Sequence, residues 1–297
     1  MAQIVECVPN FSEGRRRDVI EQIAGAVAAT PGVRLLDVQA DESHNRCVVS
    51  LVGDLGAVQE AALAAAGAAV RLIDMRSHRG EHPRLGAVDV IPLVPISGVT
   101  MDECVAAAHA LGARVWEVLR VPVFFYAEAA TRPQRRKLPD IRKGQFEGLV
   151  EKLRDPDWAP DVGEPVPHPT AGATVVGARR PLIAYNINLA TDDVKVAVEI
   201  AKTVRESSGG LVAVQAMGVR SEAGQAQVSM NLVDFTTTPL HVAFDAVRAA
   251  AAERGTDVAE SEVVGLIPLD ALTDAVRHYL KLKDFERAQI LETRLME

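Results

Sequence analysis

The sequence has few aromatic residues and few cysteines. Only 4% of its 297 residues are Phe, Trp or Tyr, whereas 48% are hydrophobic. Val, Leu, Ile and Ala must therefore fill the core, which favours helices packed on sheets over an aromatic-rich binding module. The three cysteines are odd in number and do not pair by spacing. They suggest neither a disulfide framework nor a zinc motif, and they fit a reducing compartment.

An excess of positive charge and a long apolar run are also missing. The formal net charge is −8 at pH 7, so we expect no nucleic-acid partner. The N-terminus has no basic region followed by an apolar stretch, and no apolar run approaches the roughly 20 residues that span a bilayer. We expect a cytoplasmic protein with no membrane partner. The basic residues at 132–143 favour a solvated loop, with an electrostatic guide for a small polyanion as the alternative.

The hydrophobic pattern predicts the order β-α-β-β-α-β twice along the chain. In the first half the predicted strands are 3–9, 33–38, 47–52, 87–94 and 121–126, and the predicted helices are 19–27, 55–73 and 101–118. In the second half the predicted strands are 182–189, 211–219, 225–233 and 258–266, with helices at 194–204, from 240 onward, and at the end. Two such units predict an α+β fold of two ferredoxin-like (βαββαβ) subdomains with a cleft between them.

A proline-rich segment separates the two halves. Residues 155–172 contain five prolines and two glycines, a density that excludes regular structure and leaves either a linker or a functional loop. We therefore divide the chain into an N-terminal subdomain at 1–154, a connecting loop at 155–172 and a C-terminal subdomain at 173–297.

Neutral polar side chains share one face of two predicted strands in the second half. Asn186 and Asn188 alternate with apolar residues on the first strand, as do Gln227, Ser229 and Asn231 on the other. A water-facing surface is one interpretation. This density of amides instead favours a face that lines a polar cleft and hydrogen-bonds a neutral heterocycle.

The densest polar cluster is RSHRGEHPRLG at residues 76–86. Its residues from His78 to His82 fit an H-x-x-E-H zinc-hydrolase pattern. Zinc would require both histidines on one helix face, however, and Gly80 and Pro83 disfavour a helix here. We predict a loop in which His82 exchanges a proton near neutral pH and arginines hold carboxylates. On the residues alone, a solvated surface loop remains the alternative.

A second candidate loop, NFSEG at residues 10–14, follows the first strand and begins a helix. A helix N-terminus can bind an anion, and Ser12 could equally be a plain cap. Residues 41–46 are typical of a polar hairpin turn. His168, fixed between two prolines, could contact a ligand.

Seven segments in a fixed order carry a resemblance to a known family. They are VECVPNFSEG (5–14), LLDV (35–38), GEHPR (80–84), ATVVGAR (173–179), NINL (186–189), QVSMNLVDF (227–235) and GLIPL (265–269). Together they extend over nearly the whole chain and resemble the glutamate formimidoyltransferase family, including the transferase part of formimidoyltransferase-cyclodeaminase. Two positions depart from the pattern, because His44 replaces a small hydroxyl residue and Glu164 replaces a proline.

The resemblance implies transfer of the formimidoyl group of N-formimidoyl-L-glutamate to N5 of tetrahydrofolate, a step of histidine degradation and one-carbon metabolism. The products would be 5-formimidoyltetrahydrofolate and L-glutamate. Tetrahydrofolate would be a co-substrate bound between the subdomains of a homodimer, and no metal is required. The family's catalytic histidine falls on His82, which we expect to act as base and then acid. A separate cyclodeaminase protein is expected to act on the product.

The resemblance also implies the positions of the binding residues. The folate-contacting loop would comprise Gly163, Glu164, Pro165, Val166, Pro167, His168, Pro169, Thr170, Ala171 and Gly172. The candidates for substrate binding are Asn10, Asn45, Arg46, Arg79, Arg84, Arg179, Asn188, Gln227 and Asn231. The alternatives are formyl transfer from N-formylglutamate in the same site, a folate-binding protein without catalysis, and a zinc hydrolase.

Overall fold

The computed structural model describes residues 3–221 and 223–296 and divides into two compact units, Met1–Arg179 and Arg180–Glu297. The strands of unit 1 are β1 (Ile4–Cys7), β2 (Asn10–Phe11), β3 (Val33–Asp41), β4 (Arg46–Gly53), β5 (Val88–Ser97), β6 (Val123–Ala127) and β7 (Thr174–Ala178). Its helices are α1 (Arg17–Ala28), α2 (Leu55–Leu72), α3 (Met101–Leu119), α4 (Leu138–Arg142) and α5 (Leu149–Lys152).

The seven strands of unit 1 form one sheet. β1 and β2 act as two pieces of one strand, because both pair antiparallel with β4 on one side and with β5 on the other. β3 pairs antiparallel with the outer side of β4, while β7 lies parallel between β5 and β6. The predicted order β-α-β-β-α-β is confirmed for this unit, followed by the extra helix and strand.

Helix α2 contributes half of the buried alanines in the larger core cluster of unit 1. Asp54 begins it by accepting a hydrogen bond from the backbone N–H of Ala57, which satisfies one of the free amides at a helix start. In the described part of the chain, α2 is the helix whose length and composition alone would allow it to cross a membrane. Its buried residues pack into the core of unit 1, so burial within the protein explains its apolar composition. The expectation that no apolar run approaches a membrane-spanning length was too strict.

The proline-rich segment belongs to unit 1. Its regular structure is one 3₁₀ turn, Pro156–Trp158. Beyond that turn, the backbone N–H groups of Asp161 and Val162 both donate to the carbonyl of Val123 in β6. Strand β7 then pairs with β5 and β6. The C-terminal unit therefore begins at Arg180 rather than at residue 173, because β7 completes the sheet of unit 1.

Unit 2 repeats the element order with a smaller sheet. Its strands are β8 (Ile183–Leu189), β9 (Val214–Arg220), β10 (Ala226–Leu232) and β11 (Val258–Val264), and its helices are α6 (Val194–Val204), α7 (Leu240–Ala252), α8 (Leu269–Leu280) and α9 (Leu291–Met296). The strands are antiparallel in the order β11-β8-β10-β9. Alternate residues of β8, such as Ile183 and Ile187, are buried with α6 and α7, which leaves the amide-bearing residues on the opposite face.

Candidate active site

Three segments of unit 1 are held together by backbone hydrogen bonds beside the RSHRGEHPRLG cluster. The N–H of Ser12 donates to Ala87 O over 3.0 Å, and its hydroxyl donates to Gly86 O over 2.7 Å. The N–H of Ala87 in turn donates to Ala171 O over 2.9 Å. The two loops and the proline-rich segment thus meet at one place. Ser12 is neither a helix cap nor an anion ligand here, because its hydroxyl is bonded to Gly86 and α1 begins only at Arg17.

The side chain of His82 lies against that of Arg46. The distance from Arg46 Nη1 to His82 Nε2 is 3.0 Å, and the same guanidinium nitrogen lies 3.4 Å from Asn10 Oδ1. Arginine only donates hydrogen bonds, so Nε2 of His82 must be the acceptor. The ring is therefore neutral and carries its hydrogen on Nδ1.

The surroundings of His82 strongly disfavour its charged form. Burial lowers its pKa most, and the nearby positive charges of Arg46 and Arg142 lower it further, to about 2. His44 and Arg84 add smaller effects in the same direction. A neutral imidazole in this concentration of positive charge suits a site that receives anionic substrates.

Arg142 is anchored by Asp89, a carboxylate that is almost fully buried. One carboxylate oxygen of Asp89 accepts from Arg142, and the other accepts from the N–H of Leu85 over 2.9 Å. This pair fixes α4 against the start of β5. Asp89 was not a candidate from the sequence, and Arg142 was indicated only as one of the basic residues at 132–143, because 53 positions separate the two and nothing local indicates the pairing.

Arg84 is a structural residue, which corrects its expected role in substrate binding. Its side chain is buried, and it holds Glu147 through two hydrogen bonds of 2.7 and 2.8 Å. Its Nε also donates to Nδ1 of His78 over 3.2 Å. Both prongs of this guanidinium are thus occupied by a protein carboxylate. Nε2 of His78 can then only donate, and it lies 2.9 Å from the carbonyl of Asn45.

Asn45 joins the two candidate loops of unit 1. Its side-chain carbonyl accepts from the N–H of Gly14, and its amide donates to the carbonyl of Arg79, both over 2.9 Å. Its φ angle of +49° lies in the left-handed region that Asn adopts more readily than most residues. We therefore assign Asn45 to positioning. Arg79 is exposed and donates hydrogen bonds to the carbonyls of Arg76 and His78.

His44 and Asp41 form an imidazole–carboxylate pair beside His82. Nδ1 of His44 lies 2.7 Å from the Asp41 carboxylate, and the ring centroids of His44 and His82 are 6.4 Å apart. Burial alone would raise the pKa of Asp41. The hydrogen bonds that His44 donates, together with its charge, outweigh burial and lower this pKa. The residues at 41–46, taken alone, predicted a polar turn, and the missed signal was the i, i+3 spacing of Asp41 and His44.

The predicted folate loop, residues 163–172, forms an ordered surface on unit 1. At one end Gly163 has φ +100°, and a side chain there would meet the ring of Trp116 at 2.6 Å. At the other end His168 and Gly172 exchange backbone hydrogen bonds of 2.8 and 3.0 Å. Nδ1 of His168 accepts from the N–H of Ala171. Residues from Gly163 to Val166 are exposed, so the first part of the loop is open to solvent.

Arg179 follows β7 and lies beside Glu6 and Tyr126. Burial raises the pKa of the Glu6 carboxyl, and the charge of Arg179 opposes that shift. Tyr126 is buried, which raises the pKa of its hydroxyl, while a hydrogen bond with Arg179 acts the other way. The candidate Arg179 is thus in contact with protein groups of its own unit.

In unit 2 the predicted amide face exists, but it also carries charge. β8 and β10 are neighbours, and Gln227 donates to Asn188 over 2.8 Å. β11 places two carboxylates on the same face, where Asn188 donates to Glu260 and Asn186 donates to Glu262, each over 3.0 Å. The expectation of a face without charges is therefore wrong, because it rested on the side chains of β8 and β10 and left out those of β11. Asn231 lies further along β10, half-buried.

Among residues 3–221 and 223–296, no group of three or more His, Cys, Asp or Glu side chains could hold a metal ion. His78 is bonded to Arg84 and to the Asn45 carbonyl. Its partners leave neither ring nitrogen for a zinc ion shared with His82.

The fold and the site define a two-unit mixed α/β protein whose first unit holds a neutral histidine among arginines, an arrangement suited to proton transfer on anionic substrates. The chain belongs to the formiminotransferase family. Residues 4–179 match the N-terminal subdomain of the formiminotransferase domain, and residues 184–295 match the formiminotransferase domain. The limits of these two matches agree with the two compact units.

Individual relatives are similar to this chain over its full length. A glutamate formimidoyltransferase of Streptococcus pyogenes serotype M1 is 48% identical over 100% of both chains. A glutamate formimidoyltransferase of Thermoplasma acidophilum is 45% identical over 98% of this chain and 97% of its own. A formimidoyltransferase-cyclodeaminase of Rattus norvegicus is 49% identical over 98% of this chain and 54% of its own.

Proposed function

We propose that this chain is an enzyme that transfers the formimidoyl group from N-formimidoyl-L-glutamate to N5 of tetrahydrofolate. The family and the relatives named glutamate formimidoyltransferase support the reaction. The observation that supports the site is His82, a neutral imidazole hydrogen-bonded to Arg46 within an arginine cluster. The donor carries two carboxylates, which such a cluster attracts.

In the proposed mechanism His82 moves the proton between two nitrogens. N5 attacks the amidine carbon and forms a tetrahedral intermediate, and N5 loses a proton to the imidazole. The bond from that carbon to the glutamate nitrogen then breaks, and the imidazole returns the proton to the departing nitrogen. One imidazole can do both, and this help contributes roughly 10²–10⁴-fold in rate. Positioning of the two substrates adds to it.

We further propose how the substrates are held. Arg46, Arg79 and Arg179 remain the candidates for the donor carboxylates. Residues 163–172 would contact folate, because their exposed first part leads into a segment bonded to the residues just after His82. On unit 2, Asn188, Gln227 and Asn231 are candidates for the neutral pterin ring, which amides can hydrogen-bond.

Both units are proposed to be ferredoxin-like. The support is their common strand arrangement, in which the first strand lies between the third and the fourth and the second pairs with the outer side of the third. The cleft between the units, the homodimer, the cytoplasmic location and a separate cyclodeaminase acting on the product stay predictions.

The direct test is turnover of tetrahydrofolate and N-formimidoyl-L-glutamate, measured as released glutamate and as folate product. We expect His82→Ala to lower kcat by roughly 10²–10⁴-fold, with a smaller change in folate affinity. His278→Ala, which removes a half-exposed histidine of unit 2, is the matched control and should leave kcat unchanged. Near-normal turnover by His82→Ala would remove His82 from the reaction.

The same assay separates the rival functions. If the native protein uses N-formyl-L-glutamate faster than the formimidoyl donor, it is a formyltransferase. If neither donor reacts while tetrahydrofolate binds, the protein is a folate binder without catalysis.

A further inference from the structure

The hydrogen bond between Arg46 and His82 has a chemical consequence. The lone pair on Nε2 of His82 accepts from Arg46, while Nδ1 carries the ring hydrogen. In this arrangement neither nitrogen can take a proton, because a guanidinium does not give up its hydrogen near neutral pH. His82 can act as a base only after Arg46 has left Nε2.

Arg46 differs from the neighbouring arginines in its partners. Arg84 and Arg142 each form an ion pair with a carboxylate, Glu147 and Asp89 respectively. Among the described residues, the hydrogen-bond partners of Arg46 are the neutral side chains of Asn10 and His82. Its Nε is buried without any hydrogen-bond partner in that part of the chain. Arg46 is thus a half-buried cation whose strongest type of partner, a carboxylate held by two parallel bonds, is missing.

A donor carboxylate would be a better partner for Arg46 than the imidazole is. A carboxylate places a full negative charge opposite the guanidinium and can accept two parallel hydrogen bonds from it, whereas the neutral imidazole offers a single lone pair. An arriving carboxylate would also offset part of the positive charge that Arg46, Arg142 and Arg84 direct at His82. Both effects favour the release of Nε2 when the donor binds.

We propose that Arg46 is a positioning residue that keeps His82 inactive until a carboxylate of the donor draws its guanidinium away from Nε2. The proposal rests on the proposed function. Once released, Nε2 takes the proton that N5 loses and returns it to the departing glutamate nitrogen, so the imidazole ends each cycle neutral and Arg46 can bind it again. Free enzyme is thereby protected from protonation at His82, and the base becomes available only when the donor is in place.

The test follows the protonation of His82 directly, by ¹⁵N NMR of the imidazole nitrogens of the full chain as a function of pH. His82→Gln identifies the signals. In the free protein we expect a neutral ring with hydrogen on Nδ1 from pH 8 down to about 5, since its charged form is disfavoured. Saturating L-glutamate should change the ¹⁵N chemical shift of Nε2 already at neutral pH, because Nε2 then no longer accepts a hydrogen bond from Arg46, and it should raise the proton affinity of His82 at least about tenfold. Glutaramide, which has no carboxylate, should leave it unchanged.

The experiment must account for the charged and titratable groups around His82. Arg46 from β4, Arg142 from α4, His44 from the turn before β4 and Arg84 from the segment of His82 itself lower its pKa, and His78 and Asp89 line the same pocket. His44→Ser in the same experiment removes the imidazole whose ring lies beside that of His82, and the response to L-glutamate should persist in it.

Arg46→Met should uncouple the two events. We expect the proton affinity of His82 to be raised already in the free variant and L-glutamate to have little further effect on it. The KM for the formimidoyl donor should rise by about tenfold or more, because a charged hydrogen-bond donor is lost. Arg114→Met removes an arginine that is paired with Glu60 on the surface, and it should reproduce the native titration and kinetics.

Two results would overturn the proposal. One is an Nε2 signal of His82 in the native protein that L-glutamate does not change, and the other is an Arg46→Met variant whose free-state Nε2 signal equals that of the native protein. Because the NMR readout needs no turnover, the outcomes separate. A shift with L-glutamate but no transferase activity would refute the proposed reaction alone, whereas activity without the shift would refute the role of Arg46 alone.

Discussion

His78 and His82 lie four positions apart on one loop and are held in opposite tautomers. Arg84 donates to Nδ1 of His78, so that ring carries its hydrogen on Nε2. Arg46 donates to Nε2 of His82, so that ring carries its hydrogen on Nδ1. An arginine thus determines which nitrogen of each ring carries the hydrogen. The spacing of the two histidines along the chain does not indicate that their tautomers differ.

The position of the His82 loop depends on Gly80. A Cβ at this position would lie 2.3 Å from the carbonyl oxygen of His44 and 2.7 Å from Cβ of Asn45, and both groups belong to the tightly bonded turn before β4. We expect Gly80→Ala to displace the loop and lower kcat by at least about tenfold, as misplacement of catalytic groups generally does.

Gly25→Ala is the matched control for this substitution. Gly25 lies in α1 and has open space around the position of an added Cβ, so the change should leave kcat unaltered. It should raise the free energy of unfolding by about 0.4–1 kcal/mol, because alanine restricts the unfolded chain. If Gly80→Ala kept the native kcat, the close approach of this loop to the turn would not be needed for turnover.

At the scale of elements, a buried ion pair fastens residues 131–161 to β6. Arg135 is fully buried and lies 2.6 Å from the carboxylate of Asp161, which also accepts from the N–H of Phe125. The guanidinium lies 5.2 Å from the ring centre of Phe124. Because the charge of Arg135 is buried away from water, the folded state of this segment depends on the counter-ion that Asp161 provides.

We expect Asp161→Asn to destabilise unit 1 by about 3–5 kcal/mol, since it leaves a buried arginine without its counter-ion. Urea unfolding followed by circular dichroism would measure the change. The exposed pair Arg114 and Glu60 provides the comparison, and Glu60→Gln should have no measurable effect. Equal effects of the two substitutions would mean that water reaches Arg135.

Local patterns in the sequence were sufficient to predict the element order but not all pairings. Thr100 is the N-cap of α3, and its side chain forms a capping box with Glu103. Such signals are local in the sequence. The run TVVGA of β7 instead takes its place from parallel pairing with β5 and β6, which involves partners more than 40 residues away. The same reason explains why Glu260, Glu262 and Glu147 were missed in their respective sites.

At the scale of the whole molecule, several histidines have lowered pKa values, mainly through burial. They are His78, His82, His168 and His241. A histidine that is neutral in the folded state and has an unfolded pKa of about 6.5 takes up a proton on unfolding below that pH. Stability is therefore lost as pH falls from about 6.5.

We expect the free energy of unfolding to decrease between pH 6.5 and 5, by roughly 1–2 kcal/mol for each histidine that stays neutral. Glu6, whose pKa is raised by burial, acts in the opposite direction above pH 4.5, as a single group. Carboxyl groups with a lowered pKa, such as those of Glu13 and Asp41, reduce the free energy of unfolding mainly at lower pH. Urea titrations at both pH values would measure the change, and His82→Gln should reduce it by one histidine's share. A protein more stable at pH 5 would contradict these assignments.

The hydrogen bonds that join the segments of Ser12, Gly86 and Ala171 bear on how sequences of this family can diverge. Most of its bonds join main-chain atoms, and main-chain bonds are indifferent to the side chains that surround them. Residues such as His44 and Glu164 can therefore be exchanged during evolution without moving His82. Because main-chain bonds hold the loop of His82, side chains around the site can change and alter which substrate is preferred, while the position of the histidine stays the same.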